Sequence, residues 1–195
     1  MKNFRIRMFI TAIIFISIMF SVSLAQTGEA AQSSSLQTQA AEKLVALNLL
    51  KGYDDGTLGL ERPIRRVEFS AIVTRMLGYE GNVLLTEEVP FKDVTKEYWG
   101  YPYIANAYSL KIISGFPEDG TFKPDNQITY GQAVTILLNA MGYAKDVQGK
   151  KWPDNYMEVG MNLGITKNLA VDFNKPLTRG EIAILVSDSL EVELK

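Results

Sequence analysis

Apolar residues recur at helical spacing in three stretches of the chain. After Glu68 they are Phe69, Ile72, Val73, Met76 and Leu77. After Gln132 they are Ala133, Ile136, Leu137, Ala140 and Met141. After Glu181 they are Ile182, Leu185 and Val186, with Leu190 further on. Positions i, i+3, i+4, i+7 and i+8 fall on one face of an α-helix. The first two stretches end in Gly78-Tyr79 and Gly142-Tyr143, a glycine C-cap followed by an apolar residue. Their starts are also alike: "PIRRVEFSAI" from Pro63, "QITYGQAVTI" from Gln127 and "PLTRGEIAIL" from Pro176.

A shorter amphipathic stretch precedes each of these helices. It carries Leu36, Ala40, Leu44 and Leu47 in the first copy, and Trp99, Tyr103, Ala107 and Leu110 in the second. In the third it carries Tyr156, Val159, Gly160 and Leu163. Between the two helices lies a loop opened by Gly52, Gly115 or Gly164, 13 or 14 residues before Arg65, Thr129 and Thr178. "GYDDGT" and "GFPEDGT" are turn sequences, because Gly and Asp tolerate positive φ and Pro presets a turn. The third loop, "GITKNLAVDFNKP", is degenerate. The reading is an all-α chain of three helix-loop-helix repeats, at 36–80, 90–144 and 150–195. One such unit cannot bury its apolar face alone, so the three pack together, as a closed threefold cluster or an open solenoid.

The N-terminus adds a compartment. Lys2, Arg5 and Arg7 precede an apolar run, Met8 to Ala25, that ends Ser23-Leu24-Ala25. This predicts a secretory signal peptide, residues 1–25, cut after Ala25. An uncleaved anchor is the alternative, since the run is near the length that spans a bilayer. Residues 26–35, "QTGEAAQSSS", read as a flexible linker. Removing 1–25 leaves 17 basic and 22 acidic residues, which gives no basic surface for nucleic acid. The chain has no His and no Cys, which excludes imidazole chemistry, Cys nucleophiles and His/Cys zinc sites. No cofactor is expected.

The repeated helix starts hold the candidate chemistry. Thr178 is a good N-cap and Glu181 completes a capping box; Thr129 and Gln132 make the same pair. In the first copy Arg65 replaces the capping Thr, so the box around Glu68 is expected to be lost. Arg179 and Arg66 follow their caps directly, where a cation opposes the helix dipole by roughly 0.3–1 kcal/mol. Either a nearby acid offsets this, or free backbone N–H groups and the guanidinium converge on an anion. Tyr130 takes the equivalent place in the second copy.

The stretch from Phe91 to Tyr143, "FKDVTKEYWGYPYIANAYSLKIISGFPEDGTFKPDNQITYGQAVTILLNAMGY", resembles the S-layer homology module. It has the Phe-x-Asp-Val start, the Trp opening the first helix, the Gly-Phe-Pro-Glu-Asp-Gly-Thr-Phe-x-Pro loop and the Ile-Thr start to the second helix. The flanking copies look like diverged members. The resemblance implies a pseudo-threefold α-helical domain with grooves between neighbouring repeats. It implies non-covalent anchoring of an exported protein to the bacterial envelope, outside the membrane, through pyruvylated secondary cell-wall polysaccharide. It carries Arg66 and Arg179 over as contacts to the glycan carboxylate, with Arg65, Lys123 and Trp99 as further candidates; Tyr130 cannot do that job.

Bland readings stand beside these. Trp99 and Trp152 either stack on a sugar or sit in the core. Arg65 is a second donor or a solvated substitution. Asp54, Asp55 and Asp119 suit turns better than calcium, because no EF-hand spacing follows them. The alternative function is an exported structural protein whose repeats have lost glycan binding and contact a protein partner. No paired carboxylate constellation supports a hydrolase, so an enzyme is not expected.

Overall fold

A computed structural model describes residues 32–81, 88–169 and 171–195. The predicted signal peptide lies outside the described residues. The chain divides into two units, 1–36 and 37–195, and the packing below lies within the second. The described residues form six α-helices and no strand. They are α1 (residues 32–46), α2 (Arg66–Met76), α3 (Tyr101–Ser109), α4 (Tyr130–Ala140), α5 (Asp154–Asn162) and α6 (Arg179–Ser189). A 3₁₀ turn, Tyr143–Asp146, follows α4. No helix among the described residues is long and apolar enough to cross a membrane. The fold is all-α, as the apolar periodicity predicts. One boundary differs: α1 begins at residue 32, inside the stretch expected to be a linker, although its first five residues are exposed.

The three copies close on themselves. Ile64 N donates to Leu177 O (3.0 Å), Leu177 N to Ile128 O (3.0 Å) and Ile128 N to Ile64 O (3.1 Å). These three residues precede α2, α4 and α6 at equivalent places, and none is exposed. A cycle of three backbone bonds cannot form in an open solenoid, so the closed cluster is the arrangement. The first two amides of α2, α4 and α6 are shared with a neighbour as well. Arg66 N bonds Asn126 O and Val67 N bonds Pro124 O; Tyr130 N and Gly131 N bond Lys175 O and Phe173 O; Arg179 N and Gly180 N bond Arg62 O and Leu60 O. Each helix start is thus capped by the loop of another copy.

Helices pair across copies. α2 packs on α3, and α4 packs on α5. α6 meets α1 through Lys43, whose Nζ donates to Ser187 O at 3.3 Å, and through Gln37 beside Gly180. The crossings are tight: a Cβ on Gly100 would lie 2.1 Å from Val67 Cγ2. The predicted faces of α2, α4 and α6 form the core, with Phe69, Ala133, Ile182, Leu137, Leu185 and Val186 all fully buried. Gly78 and Gly142 end their helices at φ +86° and +87°, and Tyr79 N reaches back to Thr74 O at 2.9 Å.

The first-helix faces are shifted from expectation. α1 buries Ala40, Ala41 and Leu44, while Leu47 is exposed in the turn beyond the helix. α3 buries Ile104, Ala105 and Ala107; Trp99 lies before its N-cap, Gly100, and so is not on the helix at all.

Candidate ligand grooves

Arg179 opens α6 but its side chain crosses into the first copy. Nε donates to Leu58 O at 2.8 Å and Nη2 to Lys51 O at 2.7 Å. The guanidinium lies 4.7 Å from the Tyr53 ring centroid, with Nη1 3.8 Å from Glu68 Oε1. Arg66 does the same one copy on. Its Nε donates to Phe122 O at 2.9 Å and its Nη1 to Gln132 Oε1 at 3.2 Å. Its Cζ lies 4.5 Å from the Phe122 centroid and 5.0 Å from that of Phe116. Both arginines are buried, with 5% of Arg66 and 4% of Arg179 exposed. These bonds offset the dipole cost of a cation at the helix start, because each guanidinium answers loop carbonyls rather than the helix.

Each arginine forms the base of a groove of ≈ 210 Å³. The linings correspond position by position: Gly52 and Gly115, Tyr53 and Phe116, Glu68 and Gln132, Ile72 and Ile136, Arg75 and Asn139, Trp99 and Trp152. Trp99 is 51% exposed and Trp152 50%, so both indoles line the grooves rather than the core. Trp152 Nε1 donates to Thr135 Oγ1 at 3.0 Å. Burial carries the Arg66 pKa down to about 10, with Asp93 acting in the opposite sense. Arg66 stays cationic at neutral pH.

A third place, at Tyr130, has no such arrangement. Tyr130 is 2% exposed and its hydroxyl donates to Leu169 O. Glu181, the counterpart of Glu68 and Gln132, pairs with Lys175 instead of an arginine. Asp188, in the place of Arg75 and Asn139, accepts from Asn168 Nδ2 at 2.9 Å. The adjoining groove is wider and mixed in charge, lined by Lys150, Asp154, Glu158, Lys167 and Asp172. Burial pushes the Asp188 carboxyl above its ordinary range, against the pull of Asn168 and Lys167.

The helix-terminus anion site is corrected by this geometry. The first two amides of α2, α4 and α6 are bonded to neighbouring loops, and Glu181 N bonds Thr178 Oγ1 at 3.2 Å. These first helix amides are therefore not free to converge with the arginines on an anion. The capping boxes form at Thr178–Glu181 and Thr129–Gln132. Glu68 keeps half a box: Arg65 N donates to Glu68 Oε2 at 2.8 Å. Arg65 has no acceptor to return, so only that half of the expected loss occurs.

Arg65 is committed to acids, with Nη1 2.9 Å from Asp125 Oδ1 and Nε 3.3 Å from Glu68 Oε2. It lies over Trp99, 6.0 Å from the centroid, at the edge of the first groove. Lys123 lies outside both grooves, paired to Asp119 at 2.9 Å and over the Phe116 ring. Asp55 accepts from Thr57 N and Oγ1, and Asp119 from Thr121 N, as turn formers do. Asp93 accepts from Phe122 N and Lys123 N at 2.8 Å each, tying the second loop to its preamble. No cluster of acids fit for a metal occurs among the described residues.

The side chains missed by sequence reasoning are Arg75 and Asn139, each nine residues beyond the first helix position. Arg75 bonds Leu49 O and Tyr103 Oη; Asn139 bonds Ile112 O and accepts from Tyr156 Oη. Aligning the copies past their apolar faces would have paired them.

Residues 90–134 match the S-layer homology domain family, and the chain contains that domain there. The chain is 32% identical over 176 residues to the middle cell wall protein of Brevibacillus brevis, covering 90% of this chain and 16% of that protein. It is 33% identical over 157 residues to a cell surface protein of Thermoanaerobacter kivui, covering 80% and 20%. It is 33% identical over 144 residues to the surface layer protein of Brevibacillus choshinensis, covering 73% and 13%. The chain thus spans a fifth or less of the length of these relatives.

Proposed function

We propose that the chain is a non-catalytic wall-binding domain of three tandem S-layer homology modules. It anchors an exported protein at the bacterial cell surface by binding acidic, pyruvylated secondary cell-wall polysaccharide. The observation that carries this reading is the pair of equal grooves, each with a buried guanidinium at its base and a half-exposed tryptophan on its wall. A carboxylate-bearing sugar fits such a groove, because the cation answers its charge and the indole offers a face for the ring. The domain match at 90–134 and the names of the relatives, cell wall and surface layer proteins, support the same reading. The Tyr130 place is then a copy kept for packing.

The test is sedimentation of the purified chain with cell walls before and after extraction of their secondary polysaccharide. Pelleting with intact walls and release into the supernatant after extraction is the expected outcome. Equal pelleting with both would sink the reading. It would favour the alternative, a domain whose partner is a protein, for which the wide mixed-charge groove beside Tyr130 is the available surface.

A further inference from the structure

The tryptophans on the walls of the two arginine grooves are seated alike and fastened differently. Each is followed by a residue that packs on the second position of the neighbouring helix. Gly100 lies against Val67 of α2, where a Cβ on the glycine would come 2.1 Å from Val67 Cγ2. Pro153 lies against Gly131 of α4, where a Cβ on that glycine would come 3.2 Å from Pro153 Cβ. The small and the large partner have changed places, so the backbone beside each tryptophan meets its helix through one small and one bulky residue.

The rings are held in different ways. Thr135 stands one turn beyond Gly131 on α4. Its Oγ1 donates to Gly131 O at 2.8 Å and accepts from Trp152 Nε1 at 3.0 Å. The hydroxyl hydrogen is spent inside the helix, so what the side chain offers the indole is an oxygen lone pair. In the Arg179 groove Ala71 takes the place of Thr135, and its side chain has no acceptor. Trp99 rests on rings there, with the Tyr98 and Tyr103 centroids at 5.9 and 6.4 Å and the Arg65 guanidinium at 6.0 Å.

Trp152 is half-exposed, so burial alone does not fix its ring. A side chain that is free to turn loses that freedom when a ligand packs on it, and the loss weakens binding. The bond to Thr135 takes the loss at folding instead. It also commits the one polar atom of the indole to the protein, so a ligand meets ring carbon. We propose that Thr135 is a positioning residue of the Arg66 groove, which holds Trp152 as a preset wall for the C–H face of a sugar ring. This rests on the glycan reading above.

The chain has two tryptophans, so Trp99→Phe leaves Trp152 as the lone indole reporter. Thr135→Val and Thr135→Ser are made in that background. Valine keeps the shape of threonine without the hydroxyl, and serine keeps the hydroxyl. The fluorescence anisotropy of Trp152 is read in the free protein, and the affinity for isolated wall polysaccharide is read by calorimetry. Thr135→Val is expected to lower the anisotropy and to weaken binding about threefold to tenfold. Thr135→Ser is expected to recover both. Unchanged anisotropy in Thr135→Val, an affinity within about twofold of the background, or a serine variant no better than the valine one overturns the inference. The wild-type chain is titrated alongside. If it binds the polysaccharide and the Trp99→Phe chain does not, the Trp152 groove takes no glycan and the inference falls while anchoring stands. If the wild-type chain does not bind, the glycan reading itself fails and the inference falls with it.

Discussion

Truncating Arg179 to alanine tests whether the repeated arginine holds the fold as well as lining a groove. The side chain links α6 to the first loop across more than 120 residues of sequence. Two charge-assisted bonds to Leu58 O and Lys51 O are lost, each worth about 1.5–3 kcal/mol when made by a charged group. Stacking on Tyr53, at 4.7 Å, goes with them and adds about 0.5–2 kcal/mol. Water regains the Lys51 carbonyl, since that residue is exposed, which trims the sum to about 3 kcal/mol. A domain of this size then melts about 6–12 °C lower. Urea unfolding followed by circular dichroism reads the change directly. Arg179→Lys keeps the charge but cannot serve both carbonyls, so it is expected to recover less than half of the loss. A loss below about 1 kcal/mol for the alanine variant would refute the reasoning, because it would mean the two carbonyls are satisfied without the guanidinium.

Other outcomes follow from the same geometry. Trp152→Ala weakens wall sedimentation while changing the unfolding free energy by no more than about 1 kcal/mol, because half of the indole is already in water. Gly100→Ala puts a methyl 2.1 Å from Val67 Cγ2 and lowers stability by about 1–3 kcal/mol in urea unfolding, whereas Gly149→Ala, with open space around it, is limited to the strain of its positive φ. Asp188→Asn is expected to stabilise the domain at neutral pH. Its carboxyl titrates above its unfolded range, so the folded state bears a cost when the group is ionised, and that cost fades as pH falls through the folded pKa. The advantage of the variant therefore disappears in acid, and a thermal-melt series across pH checks the crossover.

The parts legible in the sequence are those set by local pattern. The apolar faces after Glu68, Gln132 and Glu181, the Gly78 and Gly142 caps and the Thr178–Glu181 box depend on residues within a turn or two of each other. The choice between a closed ring and an open solenoid is not legible locally, because Ile64, Ile128 and Leu177 look like ordinary apolar residues before a helix; only their backbone bonds to one another define the cycle. The anion site at the helix start failed for a related reason. Local rules leave the first amides free, while here Asn126, Pro124, Lys175, Phe173, Arg62 and Leu60 arrive from other copies to take them. Helical spacing runs through Trp99 and leaves the core and sugar-stacking readings both open, whereas Gly100 caps a helix that begins only at Tyr101. Arg66 and Arg179 each open a helix, as their place after the cap predicts. What they do, crossing to the next loop and facing Gln132 or Glu68, is long-range and needed the fold.

The proposed anchoring rests on a buried cation answering a sugar carboxylate. Its most direct test is equilibrium binding of the wild-type chain to isolated wall polysaccharide with its carboxylates intact and with them removed. Binding to the intact polymer that falls at least about tenfold when the acid groups are stripped, and that weakens as salt screens the contact, is the expected result. Equal affinity for the two polymers would contradict it.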